Sequence, residues 1–215
     1  MAHQPRLRLH QELYLIAHDE DGRPLLHLPT LHLGLAAAVL LDLVLADRLE
    51  IHGGDLYIRN TQPVGDTVVD TVTPALLGDR SRRDLRGRLR TLAEDSYDRS
   101  CASLVALGLL TRVSRRRLGL VPHTRYQPTA PGPTVSARAG VRYAVHGREL
   151  PDAQCAALCG LVLVMRLADV LYIDMPNTEI QERLRRIIGV HSRPVREIIA
   201  VTDALVGDLA VAVYR

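Results

Sequence analysis

Residues 34–51 read GLAAAVLLDLVLADRLEI, and this stretch decides the fold. Up to Leu45 it is apolar on nearly every side of a helix, with Asp42 as the one charged residue. A helix that is apolar all round has to be enclosed by other elements. The stretch therefore predicts a central, buried helix. The apolar run from Leu33 to Leu45, which Asp42 interrupts, is too short to cross a bilayer.

A second stretch of this kind, PDAQCAALCGLVLVMRLADVLY, lies at residues 151–172, with a proline where the first turn of a helix tolerates one. Amphipathic segments follow it at 179–189 and 193–213, and a weaker one at 11–22 precedes the first buried helix. Amphipathic helices cover apolar ones. The sequence thus predicts a mainly α, compact single domain over residues 1–215, in which two buried central helices are surrounded by amphipathic helices.

Alternating segments predict short β-hairpins between these helices. LEIHGGDLYIR, residues 49–59, places a Gly-Gly pair between two short strands. A second, basic hairpin is predicted at about 109–121, with strands LLTRV and RLGLV joined by residues 114–116. The Pro- and Gly-rich residues 128–134 are predicted to form a loop.

Two more helices are expected between the hairpins. DTVVDTVTPALLG, residues 66–78, predicts a short helix. A longer one is predicted to start near Ser81 and to end at Gly108, because glycine is a common helix C-cap. Its exposed side begins with a cluster of arginines.

The composition excludes several classes of protein. All 27 basic residues are Arg, which is typical of a GC-rich bacterial genome, and without Trp or Phe the chain has no stacking platform for single-stranded nucleic acid. The three cysteines form no CxxC pair, so neither a disulfide framework nor a zinc site is indicated and a reducing cytoplasm is expected. The charged N-terminus does not read as a secretory signal.

Charge is distributed unevenly along the chain. Residues 99–148 contain nine arginines and no Asp or Glu. The alternative interpretation is a solvated surface in an arginine-rich proteome, but codon bias alone would leave Asp and Glu in place. A concentrated positive field on the second hairpin and its neighbours is therefore predicted.

No catalytic or metal-binding motif is present. The sequence contains no HExxH, no GxSxG, no P-loop and no GxGxxG after a strand. The serines around Cys101 fall inside a predicted helix, where a nucleophile would be buried. We therefore predict a protein that is not an enzyme and uses no cofactor or metal.

A DNA-binding winged helix is the main alternative. SLVALGLLTRVSRRRLGLV, residues 103–121, is locally similar to a helix and an arginine-rich wing. The residues before it lack a tight turn between two short helices, and the long apolar helices exceed what a small wing domain needs. Nucleic acid is thus the less favoured partner. An adaptor that binds an acidic protein tail would use the same basic surface and stays open.

Four segments, in order along the chain, resemble the Golgi phosphoprotein 3 family. They are GLAAAVLLDLVLADRLEI, PVGDTVVD, LVALGLLTRVSRRRLGLVPHTRYQP and AALCGLVLVMRLADVLY. The resemblance implies a mainly helical fold, a basic pocket for the headgroup of phosphatidylinositol 4-phosphate, and a hairpin whose tip enters the bilayer. It also implies a peripheral protein at the cytoplasmic face of a membrane, with anionic lipids and, by analogy, tails of membrane enzymes as partners.

The headgroup ligands of that family are not kept in this chain. Counted without gaps from Gly22, the pocket tryptophan of the family falls on His27 and its first pocket arginine on Ala36. Counted back from Gly108, its paired arginines fall on Glu94 and Tyr97. A glutamate in that place would repel a phosphate.

Neighbouring residues are therefore expected to supply a rearranged site. At an anionic surface each arginine contributes about 1 kcal/mol, and a partly buried leucine about 1–2 kcal/mol. Such attachment is weak and salt-dependent, and self-association into a homo-oligomer would make it firm. The predicted headgroup-binding residues are His27, Arg88, Arg90 and Arg99, and those of the membrane-contact hairpin are Arg115, Arg116, Arg117, Leu118 and Leu120.

Overall fold

Helices make up most of the chain, and two short antiparallel hairpins complete it. The computed structural model describes residues 6–78, 84–115, 123–148 and 150–213. In chain order the elements are α1 (Leu9–Ile16), α2 (Leu28–Leu45), β1 (Leu49–His52), β2 (Asp55–Ile58), α3 (Thr67–Gly78), α4 (Leu85–Ala106), β3 (Leu110–Arg115), β4 (His123–Pro128), α5 (Gly132–His146), α6 (Ala153–Val164), a 3-10 turn (Ala168–Leu171), α7 (Asn177–Gly189) and α8 (Arg193–Val213).

The two apolar helices, α2 and α6, form the centre, as the sequence predicts. α2 contacts α1, α3, α4, α6 and α8, and α6 contacts α1, α2, α5, α7 and α8. A glycine lets α2 approach the end of α6, because a β-carbon at Gly34 would lie 2.5 Å from the sulfur of Met165. One hydrophobic cluster includes residues of all eight helices that the described ranges contain.

The length of α2 differs from the prediction. It begins at Leu28, so it is long and apolar enough to cross a membrane by length and composition. The run from Leu33 to Leu45 is thus part of a helix that is five residues longer than the run itself. In this fold 67% of the helix is buried, and it serves as the core.

Two predicted boundaries need correction. α4 begins at Leu85 and not near Ser81, because the carboxylate of Asp84 accepts the amide hydrogen of Gly87 and caps the helix. The predicted loop 128–134 is shorter, since α5 begins at Gly132. Its first turn accommodates Pro133, which has no amide hydrogen to place there.

The basic hairpin is also longer than predicted. Ser114 pairs with Thr124 and Arg115 with His123, so these two residues lie in a strand and not in a turn. The strand that pairs with β3 is β4, for which the sequence pattern predicts no element. The predicted second strand, residues 117–121, lies outside the described residues.

Candidate functional site

The four predicted headgroup residues do not converge on one site. His27 is the exposed N-cap of α2 and makes no capping hydrogen bond with its side chain. Arg88 is only 6% exposed, and its Nη2 donates to the carbonyl of Leu76 on α3 at 3.3 Å. It therefore lies inside the fold and does not face solvent.

The other two arginines face carboxylates. Arg90 is exposed on α4, with its Nη2 3.6 Å from a carboxylate oxygen of Asp208 on α8. Arg99 donates to Asp95 at 2.7 Å and to the hydroxyl of Thr71 at 3.0 Å. Each guanidinium thus already has a partner that an incoming phosphate would have to displace.

A cleft of about 290 Å³ lies where α2, α4 and α8 meet, and its lining includes Glu94, one of the positions on which the ungapped count predicts the family's ligands. Pro29, His32 and Leu33 line it from α2, while Arg90 and Glu94 line it from α4. The remaining lining residues are Ala93, Leu205, Asp208 and Leu209.

Among the residues that the structure describes, the charges around this cleft cancel. Arg86 and Arg90 pair with Asp208, and Glu94 is exposed beside them, which gives two positive and two negative groups. Ala36, at the position of the first arginine of the family pocket, is fully buried. The cleft in this chain is therefore not a cradle for phosphate.

Tyr97, at another of those positions, turns inward and joins an aromatic and imidazole stack. Its ring lies 5.4 Å from that of His32, and the ring of Tyr14 lies 4.0 Å from that of His18. Tyr14 donates to the Tyr97 hydroxyl at 3.3 Å, and that hydroxyl lies 3.1 Å from Nε2 of His18. Nδ1 of His18 donates to the carbonyl of Tyr14 at 2.7 Å.

This stack holds His18 neutral. Burial lowers the pKa of His18, and Nε2 must be unprotonated to accept the hydrogen of Tyr97. Burial also raises the pKa of Tyr97, so its hydroxyl stays a donor. The stack therefore joins α1, α2 and α4, and the neutral phenol of Tyr97 takes part in it.

Ser100, His10 and Asp66 form a hydrogen-bonded chain in the core. Nδ1 of His10 lies 3.1 Å from the hydroxyl of Ser100, and Nε2 lies 3.1 Å from Asp66. Asp66 also accepts the amide hydrogens of Val68 and Val69, which caps α3. Ser100 and His10 are 0% exposed, so no substrate can reach them. The prediction that this serine is buried inside a helix is confirmed.

Among the described residues, no group of three or more His, Cys, Asp or Glu side chains is arranged to hold a metal ion. Cys101 and Cys159 are buried free thiols, and Cys155 is half-buried. These positions suit small core residues, as the apolar faces on which they lie predict.

The hairpin β3–β4 has a firmly held base. The backbone of Gly22 packs against the carbonyl of Tyr126, and the side-chain amide of Gln127 donates to Asp21 at 3.4 Å. The Thr129 hydroxyl donates to the carbonyl of Gly108 at 2.8 Å. Arg115 ends β3, while the predicted contact residues Arg116, Arg117, Leu118 and Leu120 lie outside the described ranges.

The arginines of residues 99–148 are not all on one surface. Arg112, Arg142 and Arg148 are exposed, and Arg125 is half-buried. Arg138 turns inward and donates to the carbonyl of His18 at 3.2 Å, beside a cleft of about 840 Å³. The residues that line this cleft include the acidic Asp19, Glu20 and Asp21, so the positive surface is interrupted at the base of the hairpin.

Comparison with known proteins places the chain in a family. No curated protein matches it. The family described as Golgi phosphoprotein 3 (GPP34) matches residues 9–205, which extend from the start of α1 into α8. The mainly helical fold with two small hairpins agrees with what the sequence resemblance implied. This chain therefore belongs to the Golgi phosphoprotein 3 family.

Proposed function

We propose that this chain is a non-enzymatic, lipid-binding protein that attaches to the cytoplasmic face of anionic membranes through its basic hairpin. The observation that carries the proposal is the charge of residues 99–148, which hold nine arginines and no acidic residue. Membership of the Golgi phosphoprotein 3 family supports a lipid headgroup as the class of ligand.

The base of the hairpin favours this role. Strands β3 and β4 pair from Leu110–Pro128 to Arg115–His123, and the contacts at Gly22 and Gln127 hold this base of the hairpin in place. Arginines near an anionic surface contribute about 1 kcal/mol each. The hairpin therefore needs no headgroup pocket to produce attachment that depends on salt.

Phosphatidylinositol 4-phosphate is the headgroup that the family suggests. Selectivity for it would require a cluster of donors, and in this chain Arg90 and Arg99 are engaged by Asp208 and Asp95. We therefore propose general recognition of anionic lipid, with any phosphoinositide preference depending on displacement of these carboxylates.

The test is co-sedimentation with vesicles of phosphatidylcholine, of phosphatidylglycerol, and of phosphatidylinositol 4-phosphate at matched charge, at low and physiological salt. We expect binding to both acidic vesicles that weakens with salt. Duplex DNA is added as a competitor. Tight DNA binding without vesicle binding would replace the proposal with a nucleic-acid role.

Two variants separate the hairpin from the α4 arginines. Arg115→Ala, Arg116→Ala and Arg117→Ala together should weaken binding to all acidic vesicles by about 100-fold. The matched control, Arg90→Ala with Arg99→Ala, should keep binding within about threefold. If the control instead loses a preference for phosphatidylinositol 4-phosphate, these arginines form the headgroup site.

A further inference from the structure

Two aliphatic side chains project from neighbouring loops at the end of the fold formed by α6, α7 and α8. Leu150 is 99% exposed and Val190 is 87% exposed, which makes them the most exposed large hydrophobic residues that the structure describes. Both line one open cleft of about 520 Å³, together with Pro151, Ala156 and Ile187. We call these five residues the Leu150–Val190 surface.

Hydrogen bonds fix the two loops to each other. The Nε2 of His191 lies 3.2 Å from the carbonyl of Ala153, and the amide of Ser192 donates to Nδ1 of the same ring at 2.8 Å. His191 thus uses both nitrogens, and it ties the turn between α7 and α8 to the start of α6. Arg196 donates to the carbonyl of Gly189 at 3.1 Å and holds the other side of the turn.

The charge at this surface is positive. Of the described residues that line the cleft, Arg186 and His191 alone are ionisable, and neither is acidic; Glu149, next to Leu150 in the sequence, lies outside the described ranges. Residues 179–197 contain five arginines and three glutamates, a net charge of +2, and residues 148–153 contain one arginine and two acids, a net charge of −1, so the sequence on the two sides of the cleft sums to +1. On the other side of the cleft, Asp152 is already paired with Arg6. Among the described residues, the acids next to the cleft are thus partly neutralised.

Exposed aliphatic residues at loop tips, surrounded by arginines, suit the boundary between lipid headgroups and acyl chains. A protein partner would fill the concave part of the cleft, whereas Leu150 and Val190 protrude from its rim. A symmetric contact with a second copy would bring the positive charges of residues 179–197 close to their own copies. The charge and the shape therefore favour an anionic bilayer as the occupant.

We propose that the Leu150–Val190 surface is a second membrane-contact surface, at which Leu150 and Val190 enter the interfacial layer of an anionic bilayer. The inference rests on the proposed attachment to anionic membranes, and it adds a contact that the hairpin does not provide. Two weak contacts bind with a combined strength that either lacks alone only when both reach one bilayer, so the proposal requires the hairpin and this surface to face the same membrane.

The absence of tryptophan from the chain provides a direct probe. Single variants Leu150→Trp and Val190→Trp each introduce one fluorophore at the surface, and Tyr172→Trp introduces one at a residue that is 76% exposed elsewhere. With phosphatidylglycerol vesicles, we expect the emission of the first two to shift to shorter wavelength and to be quenched by brominated acyl chains. The Tyr172→Trp emission should stay unchanged.

A loss variant gives the affinity. Leu150→Ser with Val190→Ser should weaken vesicle binding by about tenfold or more, because the variant no longer buries two apolar side chains in the bilayer. The control is Val135→Ser with Val211→Ser, at residues that are 60% and 58% exposed, and it should bind as the parent does. All four positions are exposed, so the folded state should persist.

The outcomes separate the two proposals. If the parent sediments with acidic vesicles but neither tryptophan shifts, the second contact is overturned while attachment through the hairpin stands. If the parent does not sediment at all, both fail. A shift that grows with protein concentration in the absence of lipid would identify a second copy of the chain as the occupant and would overturn the assignment to lipid.

Discussion

At Gly22 the backbone φ is +70°, and an added β-carbon would overlap the carbonyl oxygen of Tyr126 on β4. A side chain at this position would strain the backbone and would also clash with the backbone of β4. We expect Gly22→Ala to lower the free energy of unfolding by about 2–4 kcal/mol. Hydrogen exchange should increase at β4, which can be measured together with urea unfolding.

The matched control is Gly53→Ala in the first hairpin. Gly53 has a φ of +62° and no atom within 4 Å of an added β-carbon, so only the backbone strain remains. Its cost should be about 1 kcal/mol, and exchange at β4 should not change. Equal losses at the two glycines would contradict the close approach of Gly22 to β4.

Asp42 makes stability depend on pH. Its Oδ1 accepts the amide hydrogen of Leu9 at 3.2 Å, its Oδ2 is buried without a partner, and burial raises its pKa to about 7. Because the folded-state pKa lies above the unfolded value of 3.8, the folded protein holds the proton more tightly. Its stability should therefore fall as the pH rises from about 4 to 7.

Asp42→Asn keeps the shape and removes this titration. Urea unfolding at pH 5 and pH 8 should show the stability of the variant, relative to the parent, improving at the higher pH. Any constant cost of the buried amide cancels in that comparison. A pH-independent difference between the two proteins would mean that Asp42 does not titrate in this range.

The sequence-based prediction and the structure differ most clearly at Arg88. Its place in an arginine-rich segment predicts an exposed cation. The chain instead buries it against the carbonyl of Leu76, because α3 packs beside α4 at that point. Local charge density cannot predict this, since the partner comes from another helix.

At the scale of elements, four of the described helices end in the same way, and α5 does so at Gly147. After α2, α4 and α6 the chain turns through a left-handed residue, at Asp47, Gly108 and Arg166 respectively. In α6 the amide of Leu167 donates back to the carbonyl of Val162 and closes the helix end. The predicted helix 151–172 therefore stops at Val164 without a glycine to mark the end.

Arg166→Gly should relieve this strain. Arg166 is exposed with a φ of +56°, a conformation that glycine adopts freely. After the larger entropy of unfolded glycine is subtracted, we expect a gain of about 0.5–1 kcal/mol. Arg185→Gly, in the middle of α7, should lose about 1 kcal/mol. Thermal unfolding of the two variants should move in opposite directions.

The helix α5 shows why element boundaries are harder to predict than central helices. Its first residues, Gly132 and Pro133, are typical of loops, yet both fit a helix start. Only four of its side chains, Ala137, Val141, Ala144 and Val145, are buried. So weak an apolar stripe gives little periodic signal, whereas α2 and α6 are apolar throughout.

At the scale of the whole molecule, Asp208 near the end of α8 connects that helix to the first turns of α4. Its carboxylate pairs with Arg86 and Arg90 of α4. Together with Glu94 it balances the positive charge of these arginines in the cleft between α2, α4 and α8. Because we assign attachment to the hairpin, Asp208→Asn should change binding to phosphatidylglycerol and phosphatidylinositol 4-phosphate vesicles by less than about threefold.

The matched control for this prediction is Asp203→Asn, which changes the same charge at an exposed position on α8 that does not line the cleft. Co-sedimentation measures both. Tighter binding that occurs only with Asp208→Asn, and only on phosphatidylinositol 4-phosphate vesicles, would show that the cleft faces the headgroups. Arg90 would then be a headgroup-binding residue, as the sequence predicts.

The sequence by itself determined the mainly helical class, the two central helices, the first hairpin, the first strand of the second hairpin and the family, because apolar periodicity and segment order are local properties of the chain. Tertiary structure alone decided that Arg88 is buried, that Arg90 faces Asp208 and that Leu150 lies beside Val190. These contacts join residues far apart in sequence, such as Arg86 and Asp208, which are 122 positions apart. Only the packing of helices brings such residues together, so no local pattern encodes their pairing.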